Sequence, residues 1–130
     1  MAKLPASMLT GIRSIDTLKL DDIVKTVQRD RKWSAATAAS AELWYRRFLA
    51  MSYNQKGRPV FGISKLSDYV WHAHIMSTAR YRADCQRIFG KYLDHTPGKP
   101  LNWRSRLASS GAAYQKTYRH PVPYFVICCY

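Results

Sequence analysis

From Ala35 the apolar positions recur at helical spacing through an alanine-rich half into Leu43, Trp44, Tyr45, Phe48 and Leu49. They predict a helix that stops before Asn54-Gln55-Lys56-Gly57, where turn formers gather. Ser34 stands where an N-cap belongs, and Trp33 is placed to staple onto Ala38 four residues into that helix. Upstream, Asp21-Asp22 is expected to cap a shorter helix. Its Ile23, Val24 and Val27 face inward, and it ends in Arg29-Asp30-Arg31-Lys32, where cations complement the helix dipole. Residues 1 to 20 mix proline, glycine and isolated apolar side chains without a period, the pattern of an arm ordered in part by docking. The loop from Gly57 to Ile63 has room for a few extended residues, but Pro59 and two glycines argue against a long strand.

A third helix is predicted from Leu66 to about Lys91, capped by Ser64 or Ser67 and closed by Gly90. A bend or break is expected near Ser77-Thr78, whose hydroxyls compete for backbone bonds. His95-Thr96-Pro97-Gly98-Lys99-Pro100 reads as a turn. Leu101 to about Tyr118 reads as a last, weaker helix around Trp103, Leu107, Ala112 and Tyr114, with Gly111 lowering its propensity. The tail from His120 to Tyr130 is apolar and β-prone, so it must pack on the domain, pair with a partner or promote aggregation. The expected fold is all-α: a single domain over 1–130, a compact bundle of four or five helices with a less regular N-terminal arm and C-terminal tail.

Composition bounds the function more loosely. The 130 residues, 47% apolar and 13% aromatic, suffice for one core. No run approaches the roughly 18 apolar residues of a membrane span, and the N-terminus leads into no secretory h-region, so a soluble, unprocessed protein is expected. Three cysteines at irregular spacing suit a reducing compartment, hence a cytoplasmic location. Twenty-one Lys and Arg against eight acids give a net charge of +13. Such a field favours encounter with polyanions, whether nucleic acid, an anionic membrane surface or an acidic protein, or simply keeps the chain soluble. Arg80, Arg82, Arg87 and Lys91 form the candidate basic binding surface, with nucleic acid or an acidic protein as partner. No P-loop, glycine-rich phosphate loop or dinucleotide fingerprint is present.

Chemistry-bearing side chains crowd between Asp68 and His95. Residues two apart on a helix point about 200° from each other, so His72 and His74 cannot share a metal within regular helix. His74, Thr78, Tyr81, Cys85 and Ile88 instead line one face, and Asp68 and His72 another; His95, returning after Gly90, can approach either. His74, Cys85 and His95 are therefore candidate metal ligands, for zinc or another divalent transition metal. Asp68 and His72 are a candidate catalytic acid/base pair, and Trp71, Tyr81 and Asp84 candidate lining residues. The competing reading is structural: Tyr81 bonds a histidine, Asp68 bonds His72, and Cys85 is a small buried apolar residue. Cys-x-x-Cys pairs, the usual mark of structural zinc, are absent. Cys85 as a nucleophile requires a histidine base brought to it by the fold. Cys128-Cys129 can take a soft metal or oxidise, or simply belong to an apolar tail.

Trp33-Ser34, Tyr45-Arg46-Arg47-Phe48-Leu49, Ser64, Asp68, Trp71-His72-x-His74-Ile75, Tyr81, Asp84-Cys85, Phe89-Gly90 and His95-x-Pro97 together resemble the glycine-rich domain-containing protein-like family over about residues 30 to 98. The resemblance implies a helical fold without an established activity, and groups Asp68, His72, His74, Tyr81, Asp84, Cys85 and His95 as one unit. Members usually carry Leu-Asp-Thr where this chain has Met76-Ser77-Thr78, so an acid that completes a site in them is missing here. The leading expectation is a basic helical protein with a His/Cys/Asp-lined, metal-binding site. The alternative is a binding module or inhibitor acting through its cationic surface. Whether the chain is an enzyme, and its oligomeric state, stay open at this level.

Overall fold

The computed structural model describes residues 10–60, 64–95 and 101–119. Among them are six helices and no strand: α1 (Arg13–Asp16), α2 (Asp21–Arg31), α3 (Ala35–Asn54), α4 (Lys65–Met76), α5 (Thr78–Phe89) and α6 (Trp103–Tyr118). The expected all-α fold is observed, and the break expected near Ser77-Thr78 divides the third helix into α4 and α5. The helix beyond the expected four or five is the short α1 in the arm. The apolar tail, the extended residues sought at 61–63 and most of the turn at 95–100 lie outside the described residues.

α3 is the central element, packed against α1, α2, α4 and α6. Ser34 caps it as expected, its Oγ accepting from the Thr37 amide at 3.1 Å. Trp33 meets the ring of Tyr69 on α4 edge-on, at 6.0 Å between centroids. Most of the circumference of α3 is buried, as befits a helix with neighbours on every side. That includes two charged residues, Glu42 and Arg46, which pair at 3.0 Å. The Arg46 guanidinium also donates to the carbonyls of Ile15 at 2.5 Å and Leu18 at 2.8 Å. The Ile15 carbonyl also accepts from the Leu18 amide at 3.2 Å, so the guanidinium fastens the turn that closes α1. Docking of the arm thus rests on Arg46 and on buried Ile15, Leu18 and Leu20.

α2 corrects one expectation: Asp21 and Asp22 form its first turn, and Leu20 occupies the N-cap without a side-chain bond. The aspartates still suit the positive end of the helix, and Asp22 is engaged by Arg80 of α5 at 2.6 Å. Ser64 caps α4, accepting from the Ser67 amide at 3.3 Å. Gly90 ends α5 with φ +69°, a left-handed conformation that favours glycine.

The break at Ser77 shapes the site. Trp71 donates its indole N–H to the Tyr81 hydroxyl at 2.8 Å, and His74 Nε2 lies 2.8 Å from a carboxylate oxygen of Asp84. Both pairs are separated by ten residues, about 15 Å along an unbroken helix. Only a chain that folds back between α4 and α5 brings them into contact.

Candidate functional site

α4 presents its two histidines to different surroundings, as their spacing requires. His74 faces the core, and its side chain is 1% exposed. The Tyr45 hydroxyl from α3 donates to its Nδ1 at 2.7 Å, and its Nε2–H donates to Asp84 on α5 at 2.8 Å. Burial pushes the His74 pKa below its ordinary value, partly opposed by the Asp84 carboxylate. Burial likewise holds Tyr45 well above its usual range, so it keeps its proton; the Asp84 carboxylate can only accept, which puts the hydrogen of the neutral imidazole on Nε2 and leaves Nδ1 to accept from Tyr45. Both nitrogens of His74 are occupied, leaving no lone pair for a metal.

On the outer side Asp68, His72 and His95 converge. His72 Nε2 lies 2.6 Å from His95 Nε2 and 3.3 Å from Asp68 Oδ2, while His95 Nε2 lies 3.1 Å from Asp68 Oδ1. His72 is 54% exposed at its side chain, Asp68 22% and His95 16%. The ring of His95 is stacked flat on Trp71, at 4.0 Å and 5°. Tyr81 supports this arrangement from below: its hydroxyl accepts the Trp71 indole N–H and donates at 2.6 Å to the carbonyl of Leu93, two residues before His95. One buried phenol therefore ties both the platform under His95 and the strand of chain that delivers it.

Two neutral imidazoles and an ionised carboxylate do not satisfy this trio by themselves. Each Nε2 carries at most one hydrogen, and the short N···N contact requires one nitrogen to be bare. A bare nitrogen then directs its lone pair at a site also facing a carboxylate oxygen about 3 Å away. Two imidazole nitrogens and a carboxylate drawn to one point call for an additional positive charge there, supplied by a further proton or by a cation. His95 Nδ1 is buried without a hydrogen-bond partner among the described residues.

The candidate ligands thus regroup. His74, Cys85 and His95 are not brought together; among the described residues the one His/Cys/Asp/Glu group with metal-binding spacing is Asp68, His72 and His95. His74 is withdrawn by its bonds to Tyr45 and Asp84. Cys85 is buried beside Tyr81 and Leu93, where desolvation raises its thiol pKa and disfavours the thiolate a metal or nucleophilic role needs. Asp68 and His72 are adjacent as their spacing implied, with His95 added. Of the lining residues, Trp71 and Tyr81 support His95, whereas Asp84 serves His74. The partner missed by sequence reading is Tyr45, whose place opposite His74 depends on how α3 crosses α4 and leaves no local signal.

The cationic candidates also differ among themselves. Arg80 is tied to Asp22 and to the Lys19 carbonyl. Arg87 approaches Asp84 only at 4.0 Å and is 54% exposed. Arg82 and Lys91 are exposed.

Residues 13–120 match the model of the family described as UCP032817-like. This corrects the resemblance to the glycine-rich domain-containing protein-like family, which rested on scattered Trp, His, Tyr and Cys positions between about 30 and 98. The match runs from α1 through α6. No curated protein and no solved structure matches the chain.

Proposed function

Because the chain belongs to the UCP032817-like family, which is uncharacterised and assigns no chemistry, we propose from the geometry alone that Asp68, His72 and His95 form a binding site for a divalent transition metal. The observation that carries this reading is the convergence of three ligand atoms, all within 4.8 Å of one another, in a set that lacks the hydrogens to satisfy itself. Two imidazoles and one carboxylate suit zinc, cobalt or ferrous iron, and three protein donors leave a further position for water or a substrate oxygen. The Nε2 atoms must separate from 2.6 Å to roughly 3.3 Å for tetrahedral ligation at usual metal–nitrogen distances. His72, on the solvent side, is free to make that adjustment. His95 is held by Trp71 and by the Tyr81–Leu93 bond, so one ligand is preorganised and one closes over the ion. A metal bound there supplies a Lewis acid at the surface of the bundle.

The experiment is titration of untagged protein with Co²⁺, followed by its visible d–d bands, together with zinc analysis after gel filtration. One equivalent is expected in the wild type and in Cys85→Ala, and is expected to be lost in His72→Ala and Asp68→Ala. Equal, trace metal in the wild type and His72→Ala overturns the proposal.

A further inference from the structure

The outer face of α5 is a cationic surface independent of the histidine site. Tyr81, Cys85 and Ile88 bury one side of this helix, and its one acid, Asp84, is partly buried and turned toward His74. The solvent side carries Ala79, Arg82, Ala83, Gln86 and Arg87, all exposed. Arg82 and Arg87 lie about 140° apart around the helix, with Ala79, Ala83 and Gln86 between them. Two long cations thus flank a strip of short and neutral side chains. Among the described residues α5 packs on α4 and α1, and the residues of the strip stay exposed. Elsewhere the few acids are largely engaged: Asp22 by Arg80, Asp30 by Arg29, and Glu42 by Arg46. The net charge is +13 with all the acids already counted.

We propose that α5 is a nucleic-acid-binding helix that seats in the major groove of a duplex, with Arg82 and Arg87 reaching phosphates on the two sides of the groove and Gln86 facing its floor. A major groove about 12 Å wide admits one α-helix, and phosphate contacts by arginine supply sequence-independent affinity. An acidic protein is less well matched. Protein interfaces are anchored by buried aromatic or aliphatic side chains, and the large exposed apolar residues among those described, Tyr53, Met76, Tyr92 and Leu101, all lie outside α5.

The test is fluorescence anisotropy with a labelled mixed-sequence DNA duplex of about two helical turns, at rising NaCl. The variants are the pair Arg82→Gln with Arg87→Gln and, as an equal charge change on α6, the pair Lys116→Gln with Arg119→Gln; circular dichroism checks their folding. The α5 pair is expected to weaken binding about tenfold or more and to lower the salt slope by about 2, one per phosphate contact. The α6 pair is expected to change affinity by less than about threefold. Equal weakening by both pairs means generalised charge and overturns the proposal. So does a lack of duplex binding at low salt, or equal affinity for the single strand. Displacement by poly-glutamate as effective as displacement by unlabelled duplex assigns the face to an acidic protein instead. His72→Ala is expected to bind the duplex like the wild type, so this proposal and the metal site fail separately.

Discussion

His74 and His72 are two residues apart on the same helix, and their surroundings differ in almost every physical respect. His74 has both ring nitrogens bonded, by a phenol from α3 and a carboxylate from α5, and is sealed from water. His72 is half exposed and shares one point with His95 and Asp68. The first arrangement is closed: every donor has an acceptor, and any new ligand must break a bond already made. The second has more lone pairs than hydrogens, so a cation improves it. The same residue type at neighbouring positions becomes a fastener in one place and a ligand candidate in the other. What separates them is whether the hydrogen-bonding capacity of the ring is already spent.

The largest effect that separates these regions is expected from His74→Ala. It leaves the Tyr45 hydroxyl and the Asp84 carboxylate without their partner and opens a cavity between three helices, a loss of about 3–5 kcal/mol. Urea denaturation measures it; a loss under about 1 kcal/mol would show that His74 is not the fastener described. Tyr81→Phe touches both regions, since the ring of Tyr81 packs edge-on against His74 while its hydroxyl holds Trp71 and the Leu93 carbonyl. A loss of about 1–3 kcal/mol is expected for the unpaired groups. Weaker Co²⁺ binding by the folded protein is expected too, because His95 loses its support. Unchanged Co²⁺ affinity would remove Tyr81 from the site.

A pH response is expected from the buried histidine. Burial depresses the His74 pKa below its ordinary 6.5, so the folded state binds fewer protons there than the unfolded chain does. Its contribution is fully present above that ordinary value and is lost as pH falls toward the depressed folded one. The stability gap between wild type and His74→Gln should therefore narrow from about pH 7.5 to about pH 5; a constant gap would mean that His74 charges without penalty. The smallest stability effect is expected from His72→Ala, within about 0.5 kcal/mol because the side chain is half exposed and buries little apolar surface. Thermal melts sharpen the contrast: Zn²⁺ should raise the midpoint of the wild type, by mass action on the folded state, and leave that of His72→Ala unmoved.

Much of the fold was legible because its signals are local. Ser34 and Ser64 mark helix starts through their own hydroxyls, Gly90 marks an end through its positive φ, and Ser77-Thr78 marks the interruption between α4 and α5. The opposite orientation of His72 and His74 follows from helix geometry alone. Arg46 was harder to place, since a charged residue amid apolar neighbours reads equally as surface or core. In its buried position it pairs with Glu42 and donates to the carbonyls of Ile15 and Leu18, some thirty residues away.

The side chains that the sequence puts forward are regrouped by the fold. The sequence by itself determined that Asp68 and His72 share a face of one helix, that His74 points elsewhere from it, and that Tyr81 and Cys85 share a face further on, because spacing along a helix is a property of the backbone. Tertiary structure decided which of them meet. The return of the chain at Ser77 set Asp84 against His74, α3 supplied Tyr45 to complete that histidine, and the Tyr81–Leu93 bond turned His95 toward Asp68 and His72. Those outcomes depend on how helices cross and on which polar atoms must be satisfied once water is excluded, and neither is encoded in the spacing of residues along one segment.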